Sequence, residues 1–197
     1  MDIDLFLALA LFAFVSSITP GPNNLMLMTS GANFGFRRTI PHMLGVGLGF
    51  VVMILLLGAG LIGLFEAFPV AYDLLKGISV VYLLFLAYKI ATAAPTDETA
   101  EVGRPMTFLQ AAAFQWVNPK AWAMALTAIS AYTPTQSFGS VVLVGLVFGT
   151  INLPSVGSWT LLGQQLAHIL TNRTRLVAFN WTMAVLLVAS LYPVLWP

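Results

Sequence analysis

The polar residues with the most chemical potential interrupt long apolar stretches. Thr19-Pro20-Gly21-Pro22-Asn23-Asn24 breaks one stretch, Gln115-Trp116-Val117-Asn118-Pro119-Lys120 breaks a second, and Asn152-Leu153-Pro154 lies within a third. A proline donates no backbone N–H and clashes with the carbonyl one turn earlier. Pro20 should therefore free the carbonyl of Ser16, Pro22 that of Ile18, Pro119 that of Gln115 and Pro154 that of Thr150. Thr19-Pro20 and Asn118-Pro119 each match an N-cap followed by proline at the first helical position, so each predicts a half-helix starting there. Such a start carries partial positive charge. Asn23 and Asn24 fall in the first turn of one half-helix, Lys120 in the first turn of the other. A small zwitterion suits this set. Its carboxylate would take helix-start N–H groups, Lys120 or the asparagine amides, and its ammonium the freed carbonyls and the oxygens of Asn or Gln115. Asn152 either joins that site or hydrogen-bonds between helices. The simpler alternative is that each proline only kinks a helix for packing.

Lys120 sharpens the choice. It lies 14 residues after Met106 and 12 before Tyr132, the ends of its apolar stretch. That is about 21 Å along a helix, too deep for its amine to reach either end easily. A lysine at that depth costs about 2.5–3.5 kcal/mol on insertion scales. No Asp or Glu occurs at mid-stretch to pair with it. A bound carboxylate, backbone carbonyls or neutralisation of the amine would each resolve the cost. The candidate binding residues are thus Pro20, Gly21, Pro22, Asn23, Asn24, Gln115, Asn118, Pro119, Lys120 and Asn152.

The elements that must position these residues follow from composition. Only 8% of the 197 residues are charged and 59% are hydrophobic, with a mean hydropathy of +0.91. A soluble domain carries about 25% charged residues, and its surface needs them. The composition excludes an ordinary soluble enzyme, a disordered chain and a nucleic-acid binder, and leaves an all-α polytopic membrane protein in contact with lipid. There is no cysteine, so thiol redox chemistry is excluded. His42 and His168 lie far apart near expected membrane boundaries, where solvated or interfacial placement is the simple reading. No cofactor or metal is expected. The spans hold no paired carboxylates or Ser-His-Asp set, so no enzyme is expected.

Six spans fit: Leu5 to Ser30, Pro41 to Phe65, Val70 to Thr92, Met106 to Tyr132, Ser137 to Leu162 and Leu176 to Trp196. The acidic start (Asp2, Asp4) argues against a cleavable signal peptide. Six cations, Arg37, Arg38, Lys89, Arg104, Arg173 and Arg175, border the first, third and fifth gaps; only Lys76 lies near the second, and the fourth has none. These odd gaps are therefore expected on the cytoplasmic side, with both termini outside. Tyr192 and Trp196 resemble interface anchors, and Trp116, Trp122 and Trp159 lie within spans.

The acidic stretch Ala94 to Pro105 reads as a cytoplasmic linker between membrane units 1–93 and 106–197. Three spans per unit make the units enter the membrane in opposite directions, as inverted repeats do. Two echoes share nearly one register. The broken helices 1 and 4 place Pro20 and Pro119 99 residues apart, and Gly45-xxx-Gly49 recurs 100 residues later as Gly145-xxx-Gly149. The glycine motifs either pack the bundle internally or join two copies into a homodimer.

Thr19-Pro20-Gly21-Pro22-Asn23-Asn24 near the end of a first span resembles a signature of the LysE/RhtB family of amino-acid exporters. Phe114-Gln115-Trp116-Val117-Asn118-Pro119-Lys120-Ala121 resembles its second signature. Length, separation and span pattern extend the resemblance over essentially the whole chain. The Pro-Asn-Asn and Phe-Gln segments are most similar to the cysteine/O-acetylserine exporter branch. The resemblance implies secondary-active export of amino acids or close derivatives across a bacterial inner membrane, driven by the proton motive force. A passive channel, or an exporter of another small polar metabolite, is the alternative. The chain carries no G-x-x-x-x-G-K-[ST] nucleotide-binding motif, which agrees with secondary transport.

Overall fold

A computed structural model describes residues 1–61, 69–93, 104–133 and 137–192. Eight α-helices run through these segments. α1 (Ile3–Ile18) starts where the Asp2 carboxylate accepts the Leu5 N–H at 2.8 Å. α2 (Pro22–Phe34) follows after a three-residue break and is bent 53° from α1. α3 (Phe36–Leu56) runs on into a π-helical turn (Leu57–Leu61). α4 is Pro69–Ala91. α5 (Phe108–Phe114) opens on a capping box between Thr107 and Gln110. A 3₁₀ turn (Gln115–Val117) separates it from α6 (Pro119–Tyr132). α7 (Phe138–Ala167) is capped by Ser137, and α8 (Arg173–Ala189) by Asn172.

The apolar stretches are helical as expected, and the first and fourth break at their prolines. The boundaries differ. The expected gap between the first two spans is helical except at Gly35, whose φ of 79° ends α2 and admits α3 directly. Arg37, Arg38 and Pro41 suggested a gap because they are polar or helix-breaking. In fact α3 continues past them, with both arginines exposed and Pro41 inside the helix. Helices can outrun the hydrocarbon layer, so polarity marks that layer's edge better than it marks a helix end. Among the described residues, three helices are long and apolar enough to cross a membrane: Phe36–Gly60, Leu74–Ala91 and Phe138–Ala167. Taking α1 and α2 as one bent span makes four. The linker from 94 to 103, the second span's end from 62 to 65, the fourth gap at 134–136 and Trp196 lie outside the described residues.

Three apolar clusters lie among the described residues, a small one joining Leu27, Met43, Val46, Ala111 and Val156 and two larger ones. One joins Leu9 and Ala13 of α1, Phe50 and Met53 of α3, Trp122 and Ala125 of α6, and Val144 and Phe148 of α7. The other joins Leu25 of α2, Leu83 of α4, Phe114 of α5 and Met183 of α8. Each broken unit therefore sends one half-helix to each of the two larger clusters, α1 and α6 to the first and α2 and α5 to the second, while α2 and α5 also meet in the small one. The changeover is polar. Between Ala13 and Leu25 lie Ser17 and Asn24, and between Phe114 and Ala121 lie Gln115 and Asn118, all four buried. α7, which packs on α1, α2 and α3, carries buried Asn152 just beyond Phe148.

The glycine motifs face inward. A Cβ on Gly49 would stand 2.6 Å from Ala112 Cα, and one on Gly45 would collide with the Phe108 carbonyl, so α5 lies directly on α3. Gly145 and Gly149 face Val51 and Leu55 of α3 less tightly, with a Cβ at 3.5 and 3.1 Å from Val51. The six cations assigned to the cytoplasmic gaps are exposed, whereas Lys120 is partly buried.

His42 corrects an expectation. It is 2% exposed rather than solvated, and neither ring nitrogen has a hydrogen-bond partner. α3 begins five residues earlier than the expected span, which carries His42 inside the bundle. His168, at the end of α7, is exposed as expected.

Candidate functional site

The first break is longer than proline spacing alone suggests. A residue before proline is pushed into extended conformation, and the segment holds two. Thr19, before Pro20, has φ −63° and ψ 143°; Gly21, before Pro22, has φ −179° and ψ 177°. The helix restarts only at Pro22, so Gly21 rather than Thr19 occupies the N-cap. This corrects the expected Thr19-Pro20 start. Thr19 instead closes α1, its hydroxyl donating to the Val15 carbonyl at 2.9 Å and the Ser16 carbonyl at 3.1 Å. The second break behaves as read. Asn118 caps α6 by accepting the Lys120 N–H at 3.2 Å, with Pro119 at the first helical position.

The carbonyls freed at the first break find specific donors. The Ile18 carbonyl takes the indole N–H of Trp159 on α7 at 3.0 Å. The Asn24 side-chain amide donates to the carbonyls of Ser17 and Thr19, both at 2.8 Å. At the second break, the Gln115 carbonyl accepts the Asn118 N–H at 3.3 Å. Unpaired carbonyls are costly in lipid, and these partners hold the unwound backbone in place.

Two side-chain links join the breaks across the bundle. Asn23 and Gln115 form a reciprocal amide pair, with Asn23 Nδ2 donating at 2.9 Å and Gln115 Nε2 returning a bond at 3.3 Å. Lys120 Nζ donates to the Thr19 carbonyl at 2.6 Å, the Thr19 hydroxyl at 3.1 Å and the Pro20 carbonyl at 3.3 Å. Of the three ways to accommodate this lysine, backbone carbonyls are the one the structure displays. A Cβ on Gly21 would stand 2.6 Å from Lys120 Cδ, so the bare glycine leaves room for the lysine side chain.

Seven candidate residues line one small cavity: Gly21, Asn23, Asn24, Gln115, Asn118, Lys120 and Asn152. Pro20, Pro22 and Pro119 do not line it, although Pro20 contributes its carbonyl to Lys120. Ser16, Ser17, Phe50, Ala121, Met124 and Val156 complete the wall and were not among the candidates read from sequence. Ser17, polar and just ahead of the first break, carried a usable signal; Phe50 is one apolar residue among many on α3. The hydroxyls of Ser155, Ser158 and Thr160 turn back to their own helix.

Asn152 is the chemically open member. It is 6% exposed, and its Nδ2 donates to Ser17 Oγ at 3.1 Å. Its Oδ1 is buried and has no partner, which is uncommon because most buried polar atoms are satisfied. The cavity measures about 20 Å³, close to the minimum for one water and far below an amino acid. Its lining offers amide donors, an open acceptor and one cation, with no carboxylate, thiol or imidazole. Such a set binds and orients polar groups.

Residues 14–191 match the family model described as a LysE type translocator. The chain is 31% identical over 179 residues to proteins named cysteine/O-acetylserine efflux protein from Escherichia coli (strain K12), Shigella sonnei (strain Ss046) and Shigella flexneri. Each alignment covers 90% of this chain and 90% of the relative. No solved structure matches.

Proposed function

The chain belongs to the LysE family of translocators, and from that premise we propose that it exports a small amino acid of the cysteine/O-acetylserine type through the cavity between its helix breaks. It is a transporter rather than an enzyme. The observation that carries the site assignment is Asn152 Oδ1, a buried acceptor without a partner in a cavity lined by both helix starts. Carboxylate recognition falls to the starts of α2 and α6 and to Lys120, ammonium recognition to Asn152 Oδ1 and the break carbonyls.

Six spans arranged as inverted repeats supply the motion. The exchange of half-helices between the two larger apolar clusters supports this reading, since α1 pairs with α6 and α2 with α5. Alternating access then widens the small cavity first toward the cytoplasm and then toward the outside, driven by the proton motive force. The protein sits in a bacterial inner membrane with both termini periplasmic.

The test is counterflow in proteoliposomes. A carrier accumulates labelled cysteine, kept reduced, against excess internal unlabelled cysteine, whereas a passive channel does not. Lys120→Ala and Asn24→Ala should abolish counterflow in protein that still inserts. Normal exchange by both variants would remove the site from consideration, and simple equilibration by the wild type would favour the channel.

A further inference from the structure

Lys120 is held unusually for a residue assigned to a substrate carboxylate. Its ammonium lies on the oxygens of the opposite break: the Thr19 carbonyl at 2.6 Å, the Thr19 hydroxyl at 3.1 Å and the Pro20 carbonyl at 3.3 Å. An α-ammonium presents the same charge and the same three donors. We propose that Lys120 is a tethered stand-in for the substrate's ammonium, and that a zwitterion enters by exchange. The substrate ammonium takes the three-oxygen cradle, and the released lysine takes the substrate carboxylate. This inference rests on the site assignment above and specifies how that site selects its ligand.

Three observations support it. First, the cradle is organised independently of the lysine. Asn24, 3% exposed, fixes the Thr19 carbonyl from the buried side at 2.8 Å, and the Thr19 hydroxyl is anchored on α1. Second, Gly21 is extended at φ −179°, a conformation open to any residue, so conformation does not call for glycine there. Space does: a Cβ would stand 2.6 Å from Lys120 Cδ and 3.2 Å from Nζ. Third, the cavity lining contains one cation and no carboxylate. A zwitterion adds no net charge and offers partners for both the cradle and the displaced lysine. An amine without a carboxylate would crowd two cations with no anion. An acid without an ammonium would draw the lysine away and leave the cradle oxygens without their cation. Exchange therefore selects ligands bearing both groups.

The test uses the full-length protein in proteoliposomes and three thiols of similar size. Cysteine carries both groups, cysteamine lacks the carboxylate and 3-mercaptopropionate lacks the ammonium. The wild type should exchange labelled cysteine and be inhibited by neither analogue. Lys120→Met should lose at least about tenfold in cysteine exchange, the scale of one charge-assisted contact, and should gain direct binding of labelled cysteamine that the wild type lacks. Gly21→Ala pushes the flexible lysine off the cradle while keeping its charge, and should gain inhibition by 3-mercaptopropionate. The second variant keeps the test intact if the first fails to fold. If the wild type exchanges cysteine but neither variant gains its analogue, the exchange is overturned while the site assignment stands. If the wild type exchanges no cysteine, the proposed function falls and this inference with it.

Discussion

Asn24→Ala is the sharpest probe of the first break. The wild-type amide spends both hydrogens on backbone carbonyls, those of Ser17 and Thr19, at 2.8 Å each. Ser17 is 3% exposed, so its carbonyl would lose a donor with little water to replace it, at a cost of about 1–3 kcal/mol. The Thr19 carbonyl keeps Lys120, and its loss is nearer about 1 kcal/mol. The combined destabilisation is about 2–4 kcal/mol, or roughly 4–16 °C in melting temperature for a chain of this size. The assay is thermal unfolding of purified protein in detergent, read beside Asn24→Asp. The aspartate preserves shape but donates no hydrogen bond, so it should match alanine or fall below it. A melting temperature within about 1 °C of wild type for Asn24→Ala would refute the assignment of Asn24 as the clamp on the unwound backbone.

Further predictions follow from other parts of the bundle. His42→Leu should leave the melting temperature unchanged or raise it, because both ring nitrogens are buried without partners and an apolar replacement loses no hydrogen bond; a fall of several degrees would reveal a polar role. Gly45→Leu should sharply reduce folded yield by size-exclusion chromatography, since any side chain there meets the α5 backbone at Phe108; a normal profile would contradict the close α3–α5 contact. Because the chain has no cysteine, single introduced cysteines report topology. Gly139→Cys should react with an impermeant maleimide from outside intact cells and Arg37→Cys only after permeabilisation, and the opposite pattern would invert the charge-based orientation.

The helix breaks were legible in the sequence because proline chemistry is local. Pro20, Pro22 and Pro119 each follow a residue held extended, whereas Pro41 and Pro154 sit inside continuous helices, and the first turns after the breaks carry Asn23, Asn24 and Lys120. Those residues do converge on one cavity. The restart at Pro22 was missed because two successive residues before prolines compound, and the first proline attracted the N-cap assignment. Phe50 reaches the cavity through the packing of α3, which no local pattern reveals. The cross-bundle pairs, Asn23 with Gln115 and Lys120 with Thr19, join residues 92 and 101 positions apart. Residue types suggested that each needed a partner, and only the fold identifies which. His42 failed for the same reason as the helix boundaries: residue polarity locates the membrane edge, whereas burial depends on which helix face meets the neighbours.

The central claim is that substrate occupies the space between the two breaks, and protection of a cavity thiol tests it most directly. Ser17 lines that space, is 3% exposed and differs from cysteine by one atom. The rate at which a small thiol reagent modifies Ser17→Cys should fall several-fold when O-acetylserine is added in excess, while Gly139→Cys at the start of α7 reacts at an unchanged rate. Equal modification of Ser17→Cys with and without O-acetylserine, in protein that still exports it, would place the substrate elsewhere.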